Sequence, residues 1–148
     1  MKKLIFQTSS DLSPAILRVV LGLVIAAHGA QKLLGWFDGY GFTGTMTFFT
    51  STMKFPWLLG LLIILLESFG AIALVVGFGT RILGLAFAIL AAGIATIHFQ
   101  NGFFMNWFGN HAGEGYEYFV LWMAMAITLM FTGGGRYSVD QAIARHGD

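Results

Sequence analysis

From Ile82 to Gly113 the chain carries no aspartate, glutamate, lysine or arginine, and from Tyr118 to Gly135 there is again none. Between Lys54 and Arg81 the single charge is Glu67. Charge-free intervals of this length have few places to go. A hydrocarbon layer about 30 Å thick is crossed by ~20 helical residues, each rising ~1.5 Å, and each interval is long enough. Composition agrees: 57% of the 148 residues are hydrophobic and 10% charged, where a soluble domain has about 25% charged. In water, so much apolar surface on so short a chain would leave a large exposed patch. Lipid is the solvent this sequence anticipates.

A further span, Pro14 to Phe37, is less cleanly apolar, with Arg18 near its start and His28, Gln31 and Lys32 towards its end. Lys2 and Lys3 ahead of an apolar stretch resemble a secretory leader. The polar "QTSSDLS" and Arg18 interrupt that reading, and three spans need a fourth to pack against. Ser13 before Pro14 reads instead as a helix start, with proline at the first helical position. The expectation is an all-α integral membrane four-helix bundle, one unit over 1–148, with spans at about 14–36, 56–78, 80–100 and 115–133.

Lysine and arginine favour the cytoplasmic side. With the N-terminus inside, Lys2, Lys3, Arg18, Arg81, Arg136 and Arg145 fall on or near that face, and Lys32 and Lys54 on the other. Both termini are therefore expected in the cytoplasm, in a multi-pass protein of the cell (inner) membrane. Trp36, Trp57, Trp107 and Trp122 then all lie in the outer half, where amphipathic rings settle at the interface. The two outer loops, rich in glycine and aromatics, read as short interfacial helices or lids over the bundle. Ser138 and Gln141 form an S-x-x-Q capping box that opens a short helix over about 139–145, lying on headgroups or docking a partner.

Small residues mark helix contacts. Gly84, Ala88, Ala92 and Thr96 recur every four residues in the third span, and Gly60, Gly70 and Ala71 share a side with Glu67 in the second. That carboxylate is therefore expected to face protein. An acid at mid-membrane costs about 2.5–3.5 kcal/mol on insertion scales, so it needs a partner and raises the question of a task. His28, Gln31 and Lys32 stand at i, i+3 and i+4 on one face of the neighbouring antiparallel span. A His28–Glu67 hydrogen bond, with Lys32 nearer the surface, is the expected geometry, and His98, His111, Glu114 and Glu117 cluster above it. The plainer alternatives are a snorkelling Lys32, a His28 bonded to a backbone carbonyl, interfacial anchors at Arg18 and Arg81, and solvated acids at Glu114 and Glu117.

Three stretches carry a family resemblance: "LRVVLGLVIAAHGAQKLLG", "ESFGAIALVVGFGTRILG" and "GYEYFVLWMAMAITLMFTGGGRYSVDQAIA". Arg18, His28, Gly29, Gln31, Lys32, Glu67, the Thr80–Arg81 turn and the Gly135–Asp140 exit are its specific points, and with them the chain resembles the DoxX family of small four-helix membrane proteins. The resemblance implies association with membrane-bound oxidoreductases, such as those handling sulfur compounds with a quinone, and partner subunits that supply the chemistry.

The residues narrow this further. With no cysteine, the chain can form no disulfide or persulfide and ligate no iron–sulfur cluster. The histidines are too widely spaced for a ligand motif, so no metal is expected, and a net charge of +1 offers nucleic acid nothing. A quinone is the cofactor these side chains could serve: His28, Gln31, Lys32 and His98 as binding groups, Glu67 and His28 as the pair that moves a proton. The alternatives are a non-catalytic scaffold or assembly factor, whose polar cluster only orders the bundle, and a small proton-coupled carrier, which needs a homo-oligomer to find room for a path.

Overall fold

The structure, a computed structural model, describes residues 6–145, and among them every regular element is a helix. Lys2 and Lys3 lie outside the described residues. α1 is Leu12–Leu34. α2, Gly41–Thr47, runs on through a π turn at Phe48–Thr52. α3, Trp57–Val76, contains a second π turn at Leu66–Gly70. α4, Thr80–His98, closes in a 3-10 turn at Phe99–Asn101. α5 is Glu117–Thr132 and α6 is Val139–Arg145.

α1, α3 and α4 are long and apolar enough to cross a membrane. α5, at 16 residues, reaches about 24 Å and is shorter than the expected 115–133. Backbone bonds from Tyr116 and Glu117 to the carbonyls of Gly102 and Phe103 hold its approach in a loop, and Gly133, at φ 75°, ends it. α1 begins two residues earlier than the proline suggests, with Asp11 at the N-cap. Pro14 still sits in the first turn, where the amide it lacks has no intrahelical acceptor.

Close approach follows the small residues, though not all those expected. A Cβ on Gly84 would lie 2.7 Å from the Ala126 carbonyl oxygen, so α4 and α5 pack backbone to backbone. Ala88 and Ala91 continue that contact. Thr96 does not: it is exposed, and its hydroxyl donates to the Gly93 carbonyl of its own helix at 2.7 Å. Gly60 faces Phe49 and Met46, Gly70 faces Phe87 and Leu83, and Ala71 faces Gly22. They meet three different neighbours: the π turn lies between Gly60 and the other two, and Gly70 and Ala71 are consecutive residues that point apart. Leu21, Ile25, Leu74, Phe87, Trp122 and Leu129 fill the centre.

One end of the bundle is closed by polar bonds. Arg18 is 4% exposed. It donates to the carbonyls of Gly134 (2.8 Å), Tyr137 (3.0 Å), Arg136 (3.4 Å) and Val75. It is a buried tie between α1, the end of α3 and the exit from α5, and not the interfacial anchor of the plain reading. Asp140, also buried, accepts the backbone N–H groups of Gly79 at 2.7 Å and Thr80 at 2.9 Å, capping α4 from the far end of the chain. The capping box forms with a changed return leg: Ser138 Oγ accepts from Gln141 N at 3.1 Å, while Gln141 Oε1 accepts from Tyr137 N at 3.2 Å. α6 is thereby seated on the bundle.

Charge-assisted caps in a buried setting are among the stronger hydrogen bonds. Asp140→Asn, which turns one acceptor into a donor facing an N–H, is expected to lower stability by about 2 kcal/mol, read as an earlier thermal unfolding transition in detergent.

Candidate functional site

The opposite end is built around Glu67. It sits on the π turn of α3, 2% exposed, about 15 Å from the Trp57 end by helical rise. α1 reaches it at Gly29, where a Cβ would lie 2.3 Å from the Glu67 carbonyl oxygen, so only glycine allows the crossing. Ser68 Oγ donates to the Gly29 carbonyl at 3.2 Å and fixes the same point. One turn further along α1, Lys32 Nζ donates to Glu67 Oε2 at 2.5 Å.

This pairing corrects the expected one. The acid is sheltered by a base of the adjoining helix, but that base is Lys32 and not His28. The lysine side chain remains 26% exposed, and its stem lets the ammonium reach back to a deeper carboxylate, the reverse of snorkelling outward. His28 is exposed, and no hydrogen bond of its ring is seen among the described residues. Gln31 stands apart from the pair: its side-chain amide donates to the Phe37 carbonyl at 3.2 Å and steadies the turn after α1.

His28, Lys32 and Glu67 nevertheless share one cavity of about 640 Å³. Ile63 of α3, Leu90 and Ile94 of α4, and Tyr118, Phe119 and Trp122 of α5 wall it, while Phe49 and Met53 of the α2 segment and Met105 of the α4–α5 loop cover it. His98 joins the lining; its ring lies 5.1 Å from that of Phe119, and its Nδ1 donates to the Glu114 carbonyl at 2.9 Å. A carbonyl only accepts, so the proton on Nδ1 leaves Nε2 an acceptor in the neutral ring.

The covering loops owe their shape to the acids above the cavity. Glu114 accepts from Asn106 N at 2.9 Å and Glu117 from Met105 N at 3.2 Å, which folds the α4–α5 loop back over the bundle. These carboxylates pin a lid and are not merely solvated. Phe104, Trp107 and Phe108 on its outer side are exposed. The first of the two loops expected to lie outside does form helix, α2, while the second holds a single 3-10 turn.

Trp122 is the residue that sequence reasoning misplaced. Trp36, Trp57 and Trp107 are exposed as interfacial rings should be, but Trp122 is 2% exposed and packs against Phe87 in the core. Its Nε1–H is buried without an acceptor among the described residues. Buried indole N–H groups usually find partners, so an orphan on the wall of a cavity marks a place for one. Tyr118, one turn earlier on α5, lines the cavity as well. The sequence signal was available: residue 122 falls a turn and a half inside α5, too deep for a headgroup ring.

A half-open, largely apolar hollow with a few convergent polar groups is a common form of small-molecule site, and its volume falls in the typical range of about 300–1,000 Å³. With Leu23, Ile89 and Phe131 turned outward on the helices, the fold defines a multi-pass helical-bundle membrane protein with a cavity among its helices. Residues 13–107 match the family model DoxX, and the chain belongs to the DoxX family. It is also similar to "Putative oxidoreductase CatD" of Bacillus subtilis (strain 168), 30% identical over 99 residues that cover 66% of this chain and 69% of that protein. No solved structure matches.

Removing one partner of a buried ion pair costs about 3–5 kcal/mol, whereas replacing both with apolar groups is close to neutral. Lys32→Met is accordingly expected to lower the detergent melting temperature sharply, and Lys32→Met with Glu67→Leu to recover most of it. A double variant no more stable than the single would show the pair to be energetically idle.

Proposed function

We propose that this protein is the membrane subunit of an oxidoreductase complex and binds a lipid-soluble quinone in the cavity beside Lys32 and Glu67. The observation that carries the reading is the Lys32–Glu67 ion pair set in a largely apolar hollow. The donor set fits such a ring. Lys32 holds protons beyond the one given to Glu67, the His28 ring is exposed to the cavity, and Trp122 Nε1–H lacks an acceptor. Gln31, committed to the Phe37 carbonyl, drops out of the binding set.

When bound, a quinone supplies a reversible uptake of two electrons and two protons. The chain itself has no redox group, so the electrons are exchanged with a partner subunit. Lys32 orients one ring oxygen through its ammonium while it remains hydrogen-bonded to the adjacent Glu67 carboxylate. Glu67 is the group that takes or returns a proton there, and His28, an exposed ring on the same cavity, is the second group that can carry it. Apolar walls from α4 and α5 keep bulk water away from the ring. The Lys and Arg distribution supports termini in the cytoplasm and the cavity towards the outer leaflet of the cell membrane.

A non-catalytic scaffold is the second reading, favoured by the Arg18 tie and the buried Asp140, which order the bundle without serving the cavity. One experiment separates the two. Protein purified in mild detergent is extracted with organic solvent and the lipophilic extract analysed for quinone, for the parent chain and for Glu67→Gln. Co-purifying quinone that falls severalfold in the variant, at equal folded yield, is the expected result. Equal content in both proteins, or none in either, would count for the scaffold.

A further inference from the structure

A second hollow, about 470 Å³, runs between α3 and α4, with Leu62, Ala86, Ile89 and Gly93 in its lining. Its hydroxyl, on Thr96, already donates to the Gly93 carbonyl. No lining side chain has a hydrogen bond to offer, so the chemistry of this groove suits hydrocarbon alone. Leu62 and Ile89 are more than half exposed, on flanks that face lipid. Phe55, Ile63, Leu90, Ile94 and Ile97 line this groove and the Lys32–Glu67 cavity alike. The two hollows thus share a wall made only of apolar side chains, which move between rotamers without breaking a polar bond.

Gly93 gives the groove its depth. The other glycine of α4, Gly84, is pressed against the α5 backbone, but a Cβ on Gly93 would meet no atom within 4 Å. Glycine within a helix costs about 1 kcal/mol relative to alanine, and no neighbouring helix explains it here. The space it leaves opens into the groove.

We propose that the α3–α4 groove is a lateral doorway from the bilayer into the cavity, and that the hydrocarbon tail of the bound ligand remains in it. This rests on the quinone reading and narrows it to a membrane-dissolved, long-tailed quinone, as against a short-chain or water-soluble ring. The effect of the groove is steric. Lipid is as apolar as a leucine-lined wall, so the tail gains little by transfer; the ring, however, can sit beside Lys32 only if its tail has a way out.

The test uses the full chain in phosphatidylcholine nanodiscs, incubated with an equimolar mixture of two quinones that share a ring, one bearing a long isoprenoid tail and one a methyl group. The protein is re-isolated and both are quantified chromatographically. Gly93→Leu, which fills open space without touching the packed faces, is expected to cut retention of the long-tailed quinone about tenfold and leave the methyl analogue within about twofold. Ala86→Phe, two turns away in the same groove, is an independent block if Gly93→Leu folds poorly. Unchanged retention of the long-tailed quinone in a folded blocked variant overturns the doorway and leaves the quinone reading in place. Retention of neither quinone by the parent protein removes both.

Discussion

A guanidinium deprived of water must find carbonyls, and Arg18 finds four: one at the end of α3 and three in the segment that leaves α5. Those carbonyls are ones that helix ends and turns leave unpaired. Joining them to α1 fixes three elements against each other at one end, and Asp140 adds α4 through its N-terminal amides. Because the helices are tied there by directional bonds, the other end does not have to be closed by packing. The cavity lies towards that other end.

The ion pair occupies the point where splaying begins. At Gly29 the backbones of α1 and α3 nearly touch; one turn later Lys32 already needs its full side chain to reach Glu67. The π turn contributes directly, since an extra residue in the turn sets the Glu67 carboxylate towards α1 while Leu66 and Gly70 turn to α4. Such turns frequently accompany functional positions. Closed end, crossing point and cavity are thus one graded separation of helices, and polar groups stand where the separation changes.

Much of this was legible in the residues, for reasons that can be named. Charge-free intervals of spanning length gave the helices, and a single acid among apolar neighbours had to face protein, as Glu67 does. The identity of its partner was not legible, because His28 and Lys32 share a face and only the π turn decides which one the carboxylate meets. The stripe ending in Thr96 failed because periodicity records a face and not its occupant: the upper half of that face meets open space. Trp122 was assigned to the interface by residue type, although its depth along α5 argued for the core. Arg18 looked like an ordinary inner-face charge and Asp140 carried no structural expectation of its own, since their carbonyl and amide partners carry no signature in sequence.

The cap on α4 also imposes an order of events during synthesis. The amides of Gly79 and Thr80 wait for a carboxylate 60 residues downstream, an interval of about 3–12 s at ordinary translation rates of ~5–20 residues per second. During it α4 and α5 are themselves being made, and the bundle has no latch until Asp140 follows them. A nascent chain broken off after α5 would be fully inserted yet unsecured, and membrane proteases would meet it in that state. The residue that secures α4 is therefore made only after α5 is complete.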